Sequence, residues 1–472
     1  MSPVILWFRR NLRLHDNLAL RAAVDAGRPI LPVYVSDELD AGGASRWWLH
    51  HSLSSLDTAL HNHGGRLVIR SGRPEDVLPG IVDETGAAAV FFSRRYEPQA
   101  RAQERAIERN LDERCGLHGF DDSLIRHPES VMTQSGTPYK VFTPFWKAAS
   151  GAGEPQEPVS RPAEFETTTA GMDLWDIGAL GLLPTGPDWA GGLRDTWTPG
   201  EEGAFARLDA ACAIAGAYAE QRDRPDIEGT SRLSPHLHFG ELSPRQVWHD
   251  IRSATPASDQ QGANALLRQL YWRDFSAYLL YHFPNLPDMP LREEFAQFPW
   301  TDDPEGLKAW QQGHTGYPIV DAGMRQLWTT GWMHNRVRMI VASFLVKDLL
   351  VPWQAGAEWF LDTLVDADLA NNSASWQWVA GCGTDAAPYF RIFNPVLQGK
   401  KFDPMGDYVR RWVPELDRLP TKFIQEPWKA DIGAQKVANL VIGEDYPAPI
   451  VDHGEARDLA LESYRAIRKQ GA

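Results

Sequence analysis

The chain has 472 residues, a formal net charge of −15 at pH 7 and three cysteines that lie far apart, Cys115, Cys212 and Cys382. The length predicts two or three domains, and the odd, scattered cysteines exclude a disulfide framework and favour a reducing, cytoplasmic location. The acidic balance excludes nucleic-acid binding over the whole surface, so any DNA site must be a local basic patch.

Hydrophobic patterning excludes a membrane protein. No apolar run approaches the roughly 20 residues that a membrane span needs, and the N-terminus gains charge too early for a signal peptide. No metal site is predicted. The compositional outlier is tryptophan, with 19 residues, of which nine lie between Trp272 and Trp378. The excess is therefore a property of one region.

Residues 1–130 alternate short apolar runs with helical stretches. The runs are rich in β-branched and aromatic residues and span 4–8, 30–35, 66–70 and 88–93. This alternation predicts βαβ units and an open, doubly wound parallel sheet, with a ligand at the carboxyl ends of the strands. The fingerprint GxGxxG is absent after the first run, so an ordinary dinucleotide pocket is not supported.

The composition changes twice after this domain. Residues 131–205 are dominated by proline, glycine and small polar residues without periodicity, which predicts a long interdomain linker. From 206 to 472, apolar residues recur at three- and four-residue spacing, which predicts a helical domain. The predicted architecture is therefore an α/β domain, a linker and an all-helical domain.

The segment 228–246 contains the first candidate site. Thr230, Ser231, Arg232 and Ser234 offer hydroxyl groups, a guanidinium and main-chain amides at a predicted helix start, which suits a phosphate. Taken alone, the segment favours a simpler alternative, in which a hydroxyl group caps the helix.

A second candidate is the helical segment 268–275. Gln269 and Trp272 share one face, where an amide and an indole could bind a base, and Arg273 lies beside them. A partly buried amphipathic helix explains this segment equally well.

The segment 331–340 contains a third candidate. Helical spacing places Asn335, Arg338 and Met339 on one face and turns Arg336 aside. His334 is interpreted as a hydrogen-bonded structural histidine.

The stretch 366–403 concentrates polar groups beside large aromatic rings. It contains two acids, two adjacent amides and two tryptophans, followed by a basic loop, namely Asp366, Asp368, Asn371, Asn372, Trp376, Trp378, Arg391, Gln398, Lys400 and Lys401. Such a stretch makes a poor core and a poor solvated surface. It predicts a site for a flat ring system with polar edges.

These segments together resemble the photolyase/cryptochrome family, and the likeness covers nearly the whole chain. The matching segments occur in the family's order: LWFRRNLRLHDN at 6–17, SRWWLHHSL at 45–53, EGTSRLSPHLHFGELSPRQ at 228–246, YWRDF at 271–275, DADLANN at 366–372, SWQW at 375–378 and FRIFNP at 390–395. Seven segments in one order are far more specific than any single pattern.

The resemblance implies an N-terminal antenna-chromophore domain at 1–130, a linker at 131–205 and a helical FAD- and DNA-binding domain at 206–472. The positions that match the family's FAD-binding residues are Tyr218, Thr230, Ser231, Arg232, Leu233, Ser234, Gln269, Arg273, Asn335, Arg338, Asp366, Asp368 and Asn372. Three tryptophans match the proximal, middle and surface members of the family's electron-transfer chain, namely Trp376, Trp353 and Trp300.

The resemblance also implies a site for damaged DNA. The positions that match lesion or phosphate contacts are Arg222, Gln269, Trp272, Asn335, Arg336, Met339, Trp378, Arg391, Gln398, Lys400 and Lys401. The implied reaction is light-driven repair of cyclobutane pyrimidine dimers, in which photoexcited reduced FAD donates an electron to a dimer that has left the duplex. Ultraviolet-damaged DNA is then the partner, and a monomer without an obligate protein partner is expected.

Several family members remain as alternatives. Repair of the (6-4) product requires proton transfer, and enzymes that perform it have two histidines where this chain has Asn335 and Met339. A DASH-type enzyme for single-stranded DNA is less favoured, because the match is better elsewhere. Class I and plant-like class III photolyases both remain open, although Gln269, which stands where many class I enzymes have glutamate, leans toward the plant-like members.

A blue-light-sensing cryptochrome without repair activity is the alternative from another functional class. Plant sensors have an acid at the position of Asn372, which can protonate the flavin and hold a signalling state, and an amide cannot donate in that way. The chain also ends soon after the core fold, whereas sensors have a long signalling tail. Both features favour the enzyme, a deoxyribodipyrimidine photo-lyase.

The antenna chromophore is the least determined cofactor. Folate-binding members often have an Asn–Glu pair where this chain has Gln99 and Ala100. A plant-like site elsewhere in the N-terminal domain for 5,10-methenyltetrahydrofolate is therefore predicted, with 8-hydroxy-deazaflavin, or no antenna, as alternatives.

Overall fold

The computed structural model describes residues 1–37, 42–385 and 391–470. The chain forms two compact units. Unit 1 comprises residues 1–216, 231–284 and 365–368, and unit 2 comprises 217–230, 285–364 and the chain from 369 onward. The boundaries predicted for the linker and the helical domain stay predictions.

Unit 1 contains a five-stranded sheet in the order β3-β2-β1-β4-β5, in which every pair of neighbouring strands is parallel. The strands are β1 (Val4–Phe8), β2 (Ile30–Ser36), β3 (Val68–Ser71), β4 (Ala89–Ser93) and β5 (Gly116–Phe120). All five residues of β1 are buried, as expected for a parallel strand covered on both faces. The predicted doubly wound α/β fold is confirmed. The sequence analysis missed β5, because its residues GLHGF have little strand propensity.

Helices connect the strands of unit 1 and continue beyond them. They are α1 (Leu18–Asp25), α2 (Gly43–His61), α3 (Pro74–Thr85), α4 (Pro98–Leu111), α5 (Phe142–Gly151), α6 (Gly191–Thr196), α7 (Glu201–Ile214), α9 (Ser234–Phe239), α10 (Pro244–Ala254) and α11 (Gln260–His282). Asn17 caps α1 by accepting a hydrogen bond from the Leu20 amide at 3.0 Å, which satisfies one of the amides left over at a helix start.

The segment predicted as a linker contributes to the fold of unit 1. It contains α5 and α6, its residue Thr167 forms a parallel bridge with Ile30, and Met172 packs in the core beside Val33 and Val68. Proline and glycine remove periodicity from this segment, but they do not prevent single side chains from packing on the sheet.

Unit 2 is helical in the ranges that the structure describes, as predicted. Its helices are α8 (Tyr218–Gln221), α12 (Pro304–Gln312), α13 (Pro318–Thr330), α14 (Asn335–Ser343), α15 (Trp353–Thr363), α16 (Leu369–Ala380), α17 (Pro395–Phe402), α18 (Asp407–Trp412), α19 (Ile432–Ala438) and α20 (His453–Gln470). A π-helical turn, Phe344–Asp348, follows α14. None of the described helices combines the length and apolarity needed to cross a membrane.

The segment 6–17 supplies buried polar groups that organise unit 1. The guanidinium of Arg13 donates to the carbonyl oxygens of Asp16 at 2.8 Å and Gly240 at 2.9 Å, and Arg245 donates to the Asp16 carboxylate at 2.7 Å. Buried charges are tolerated only when they are paired and hydrogen-bonded. These residues of the family's first motif therefore have a structural role.

One buried amide ties a loop to α16 in unit 2. The Gln377 side chain is fully buried. It donates to the carbonyl oxygens of Leu286 and Met289, both at 2.8 Å, and accepts from the Leu291 amide at 2.9 Å. The loop from 286 to 291 has no regular hydrogen-bonding ladder of its own, so this side chain supplies its partners.

Replacing Gln377 with alanine should leave these three main-chain groups without partners in a buried place. We expect Gln377→Ala to lower the free energy of unfolding by about 2–4 kcal/mol, measured from the urea dependence of the helical circular dichroism signal. Gln354→Ala is the control, because that partly exposed side chain makes a single hydrogen bond of 3.3 Å to the Asp288 carbonyl. Equal losses in the two variants would contradict the role of Gln377.

Candidate functional site

The residues predicted for the site lie in both units. Unit 1 contains Ser231, Arg232, Leu233, Ser234, Gln269, Trp272, Arg273, Asp366 and Asp368. Unit 2 contains Tyr218, Arg222, Thr230, Trp300, Asn335, Arg336, Arg338, Met339, Trp353, Asn372, Trp376, Trp378, Arg391, Gln398, Lys400 and Lys401.

The turn before α9 has an unusual backbone. Arg232 has φ +51°, in the left-handed region that side chains other than glycine seldom adopt, and Leu233 follows in the right-handed region. Successive residues of opposite hand direct their amides into one concavity, which is a common way to bind an anion. A strained conformation of this kind persists only where the surrounding structure maintains it.

The helix-cap alternative for this segment is wrong. The residue in the N-cap position of α9 is Leu233, and no side chain caps the helix. Ser234 comes after the cap and is exposed. The hydroxyl groups of the segment are therefore not explained by capping, and the phosphate interpretation is favoured.

Three predicted site residues on α11 have different partners within unit 1. The half-buried Trp272 stacks on Phe142, with ring centroids 3.5 Å apart. Arg273 donates to the carbonyl oxygens of Ser123 and, at 3.3 Å, Leu237. Gln269, one turn earlier, donates to the Ala265 carbonyl at 2.9 Å, which leaves its amide oxygen as the acceptor available to a ligand.

Asp274 is a titratable residue that the sequence analysis missed. One oxygen of its carboxyl group accepts from the amides of Ile125 at 2.9 Å and Arg126 at 3.0 Å, and the other has no hydrogen-bond partner among the described residues. Burial raises the pKa of Asp274 to about 7, against the smaller opposing effect of the Arg273 charge. The feature of the sequence that could have identified Asp274 is its position directly after the predicted site residue Arg273.

Asp366 and Asp368 lie in unit 1, although the helix that follows them lies in unit 2. The amide of Asp368 donates to the Asp366 carbonyl at 2.7 Å. The Asp368 carboxylate lies 3.8 Å from Nδ1 of His238, and both ring nitrogens of His238 lie 2.7 Å from Nη1 of Arg10. A chain of polar contacts therefore joins Asp368 to the loop after β1.

The face predicted on α14 forms in unit 2. The side-chain amide of Asn335 lies 3.9 Å from Sδ of Met339, one turn further along. Arg338 donates from Nε to the Met333 carbonyl at 2.8 Å. His334 accepts from the Arg336 amide at 3.2 Å and caps the helix, which confirms its structural interpretation.

Two further predicted DNA contacts, Arg336 and Arg222, lie beside charged or aromatic neighbours in unit 2. The Arg336 guanidinium lies 2.9 Å from the Asp223 carboxylate and 4.4 Å from the centroid of the Phe402 ring. Arg222 lies 5.3 Å from the ring centroid of Tyr218. Burial raises the pKa of Tyr218, so its phenol stays neutral and acts as a hydrogen-bonding group.

Asn372 has a defined orientation on α16. Its side chain is largely buried, and Nδ2 donates to the Ala357 carbonyl at 2.9 Å. The amide oxygen therefore points away from Ala357, as an acceptor for a group with an N–H. Trp378, six residues later, is half-buried.

The three tryptophans predicted for electron transfer differ in burial. Trp376 and Trp353 are each 2% exposed, whereas Trp300 is partly exposed. Trp310, which the sequence analysis did not select, contacts Trp376 edge to face, with centroids 6.2 Å apart. A Cβ atom at Gly356 would lie 2.1 Å from the Trp376 ring, so glycine is required there.

The predicted basic loop is partly engaged with acids and main chain. Lys400 forms an ion pair with Glu426, and Lys401 lies 5.0 Å from the Phe402 ring centroid. Arg391 is exposed. Its carbonyl accepts a hydrogen bond from Lys347, a residue that is not among the predicted site residues. Burial lowers the pKa of Lys347 to about 7. Residues 386–390 of this stretch lie outside the described residues.

Comparisons with known proteins agree over the full length. Residues 4–163 match the family model described as DNA photolyase, and residues 266–466 match the FAD binding domain of DNA photolyase. The deoxyribodipyrimidine photo-lyase of Agrobacterium fabrum is 49% identical over 473 residues, which cover 99% of this chain and 98% of that protein. The chain belongs to the photolyase/cryptochrome family.

Other members of the photolyase/cryptochrome family are also similar. The crystal structure of a bacterial class III photolyase from Agrobacterium tumefaciens has a TM-score of 0.97 and 49% identity, covering 99% of this chain and 98% of that one. Cryptochrome-1 of Arabidopsis thaliana is 37% identical, covering 96% of this chain and 69% of that protein. The predicted family and fold class are confirmed.

The pKa of Asp274 should be visible in stability. Its folded-state pKa of about 7 lies above the ordinary value of 3.8, so the folded protein retains a proton that the unfolded chain loses. Stability should therefore fall as pH rises through this window, by at most ~1.4 kcal/mol per pH unit, and then level off. The side chain of the Asp274→Asn variant cannot titrate, so the free energy of unfolding of this variant should change less with pH.

Urea unfolding at a series of pH values measures this difference. Asp25→Asn, at a half-exposed surface carboxylate, should keep the wild-type slope. An Asp274→Asn curve parallel to the wild type between pH 4 and 7 would contradict the raised pKa.

Proposed function

We propose that this chain is a deoxyribodipyrimidine photo-lyase of class III that repairs cyclobutane pyrimidine dimers in DNA by light-driven electron transfer. Class III is supported by the 49% identity and the TM-score of 0.97 to a class III photolyase. The observation that favours cyclobutane dimers as the substrate is the Asn335–Met339 pair on α14, with the two side chains 3.9 Å apart. Neither side chain can donate and recover a proton near neutral pH. The pair therefore suits a dimer that splits after gaining an electron, and does not suit the (6-4) product.

Bound FAD supplies the photoexcited electron donor. The described residues fit such a group by their chemistry: the left-handed Arg232 directs amides for phosphate, and the buried phenol of Tyr218 stays neutral. Asn372 presents an amide oxygen to an N–H edge, because its nitrogen is already bonded to Ala357. These residues would hold, orient and electrically balance the cofactor.

The remaining chemistry is recognition of the damaged bases. Trp272 and Trp378 are both half-buried indoles, and each would stack on the unpaired pyrimidines of a flipped-out dimer. Arg222, Arg336, Arg391, Gln398, Lys400 and Lys401 would contact the phosphates. Local charge of this kind is required by a chain with a net charge of −15.

Trp376, Trp353 and Trp300 would pass electrons inward to the cofactor. Two of them are buried and the third is partly exposed. This order of burial is what an inner, a middle and a surface member require, because only the outermost ring has to exchange electrons with a solution reductant.

Repair under illumination tests the proposal. The purified, reduced protein should return dimer-containing oligonucleotides to intact thymines in blue light and not in the dark. Trp378→Ala and Met339→Ala should weaken binding of the damaged oligonucleotide by about tenfold, since each removes a surface that contacts the dimer. Fluorescence anisotropy in the dark measures this affinity.

Trp328→Ala is the matched control for these variants. Trp328 lies in the same unit, is 61% exposed and stacks on Trp359, but it is not assigned to the lesion site. Its removal should leave repair and binding unchanged. Normal repair by both Trp378→Ala and Met339→Ala would overturn the assigned lesion site, and absence of repair by the reduced wild-type protein would favour a sensor.

Asn372→Asp should move the protein toward sensor behaviour. An aspartate there can donate to the Ala357 carbonyl only when protonated, and burial raises the pKa of the new carboxyl group. The variant would therefore place a proton donor where the wild type has none. We expect the light-induced change in the flavin spectrum to decay at least ~10-fold more slowly in the dark.

Asn371→Asp is the matched control, because the adjacent residue points about 100° around α16. It should decay at the wild-type rate. Equal decay of the wild type and Asn372→Asp would show that this position does not separate enzyme from sensor.

An antenna chromophore is proposed for the α/β domain, with methenyltetrahydrofolate preferred to deazaflavin. The parallel sheet supports a ligand in this domain, because doubly wound folds bind ligands at the carboxyl ends of their strands. The absorption spectrum of the purified protein should contain a near-ultraviolet folate band beside that of flavin. A band further into the blue would favour deazaflavin, and flavin alone would count against an antenna.

A further inference from the structure

Phe142 makes a ring contact that neither the family comparison nor the sequence motifs assign. Its phenyl ring lies parallel to the Trp272 indole, with centroids 3.5 Å apart and an interplanar angle of 8°. Because this separation is close to the thickness of an aromatic ring, the two faces overlap almost completely. Phe142 is 1% exposed, whereas Trp272 is only half-buried.

The phenyl ring lies among three side chains of one helix. Arg268 and Trp272 are one turn apart on α11, and the Arg268 guanidinium lies 5.2 Å from the Phe142 ring centroid. Phe275 contacts Phe142 edge to face at 5.8 Å and Trp272 at 6.1 Å. Phe142 therefore restricts the Trp272 side chain on one face and, through Phe275, at one edge.

The stack continues on the far side of Arg268. The guanidinium lies 4.5 Å from the ring centroid of Trp146, which is on α5 one turn after Phe142. A cation held between two rings is attracted to both. Two side chains of α5 thus contact two of α11, and of these Trp272 is the half-buried ring that stacks on Phe142.

We propose that Phe142 is a positioning residue for lesion recognition, and that it holds the Trp272 indole in the orientation that stacks on the dimer. This inference rests on the proposed role of Trp272 at the lesion. A free indole loses rotational freedom when it binds, and that loss weakens binding. An indole already fixed on one face avoids the loss and offers its other face to a base.

Phe142→Leu tests the proposal, because leucine keeps the site apolar and removes the flat surface. We expect the variant to bind a dimer-containing oligonucleotide about three- to tenfold more weakly, with unchanged affinity for the undamaged oligonucleotide and unchanged FAD content. At saturating damaged DNA, the maximal repair rate should equal that of the wild type. Phe142→Tyr keeps the ring and should restore affinity.

Phe145→Leu is the matched control. Phe145 lies on the same helix, is also 1% exposed and packs on Phe275 and Tyr278, but it makes no described ring contact with Trp272. Replacing it with leucine should remove about as much buried packing as Phe142→Leu does, and should leave affinity for the dimer unchanged. Equal weakening in both leucine variants would overturn the proposal, because a general loss of packing would then explain it.

The double variant Phe142→Leu/Trp272→Ala distinguishes failure of the positioning role of Phe142 from failure of the assigned lesion site at Trp272. If Phe142 acts through Trp272, the double variant should bind the dimer as Trp272→Ala does. Additive weakening would overturn the positioning role. If Trp272→Ala by itself left dimer binding unchanged, the assigned lesion site would fail, and the proposal would fall with it.

Discussion

The rotation of an α-helix by about 100° per residue sends three consecutive side chains of α11 to three different partners. Trp272 stacks on Phe142, Arg273 donates to main-chain carbonyl oxygens, and Asp274 accepts from the amides of Ile125 and Arg126. A change of register by one residue would exchange these partners. The contacts of Asp274 and Arg273 therefore fix the direction in which the Trp272 indole, the candidate stacking surface for a base, points.

Many polar residues of the family motifs serve the interior of the fold. Glu241 is fully buried and accepts from Nε1 of Trp48 at 2.9 Å and from the Gly200 amide at 2.8 Å, so residues of 45–53 and of 228–246 meet at one carboxylate. Removing one donor from such a group leaves a buried acceptor without one of its hydrogen bonds, which costs about 1–3 kcal/mol. Motifs that look like active-site sequences can therefore be required for folding.

Two of the cations proposed for DNA binding pair with acids in the described structure. Arg336 pairs with Asp223, and Lys400 pairs with Glu426. Under the proposed function, each phosphate contact of these two side chains would exchange one ion pair for another. This exchange would limit non-specific affinity in an acidic protein and would make stacking on damaged bases the greater source of discrimination.

The sequence by itself determined the family, the parallel α/β domain and the helical domain, because these depend on periodicity and on motifs that a single chain displays. It also placed Asn335 and Met339 on one face, since residues one turn apart are neighbours in any helix. It missed β5, because glycine and histidine have low strand propensity and the strand depends on its pairing with β4. Only the tertiary structure brought Phe142 from the predicted linker onto Trp272 and raised the pKa of Asp274, since stacking and burial depend on residues distant in the chain.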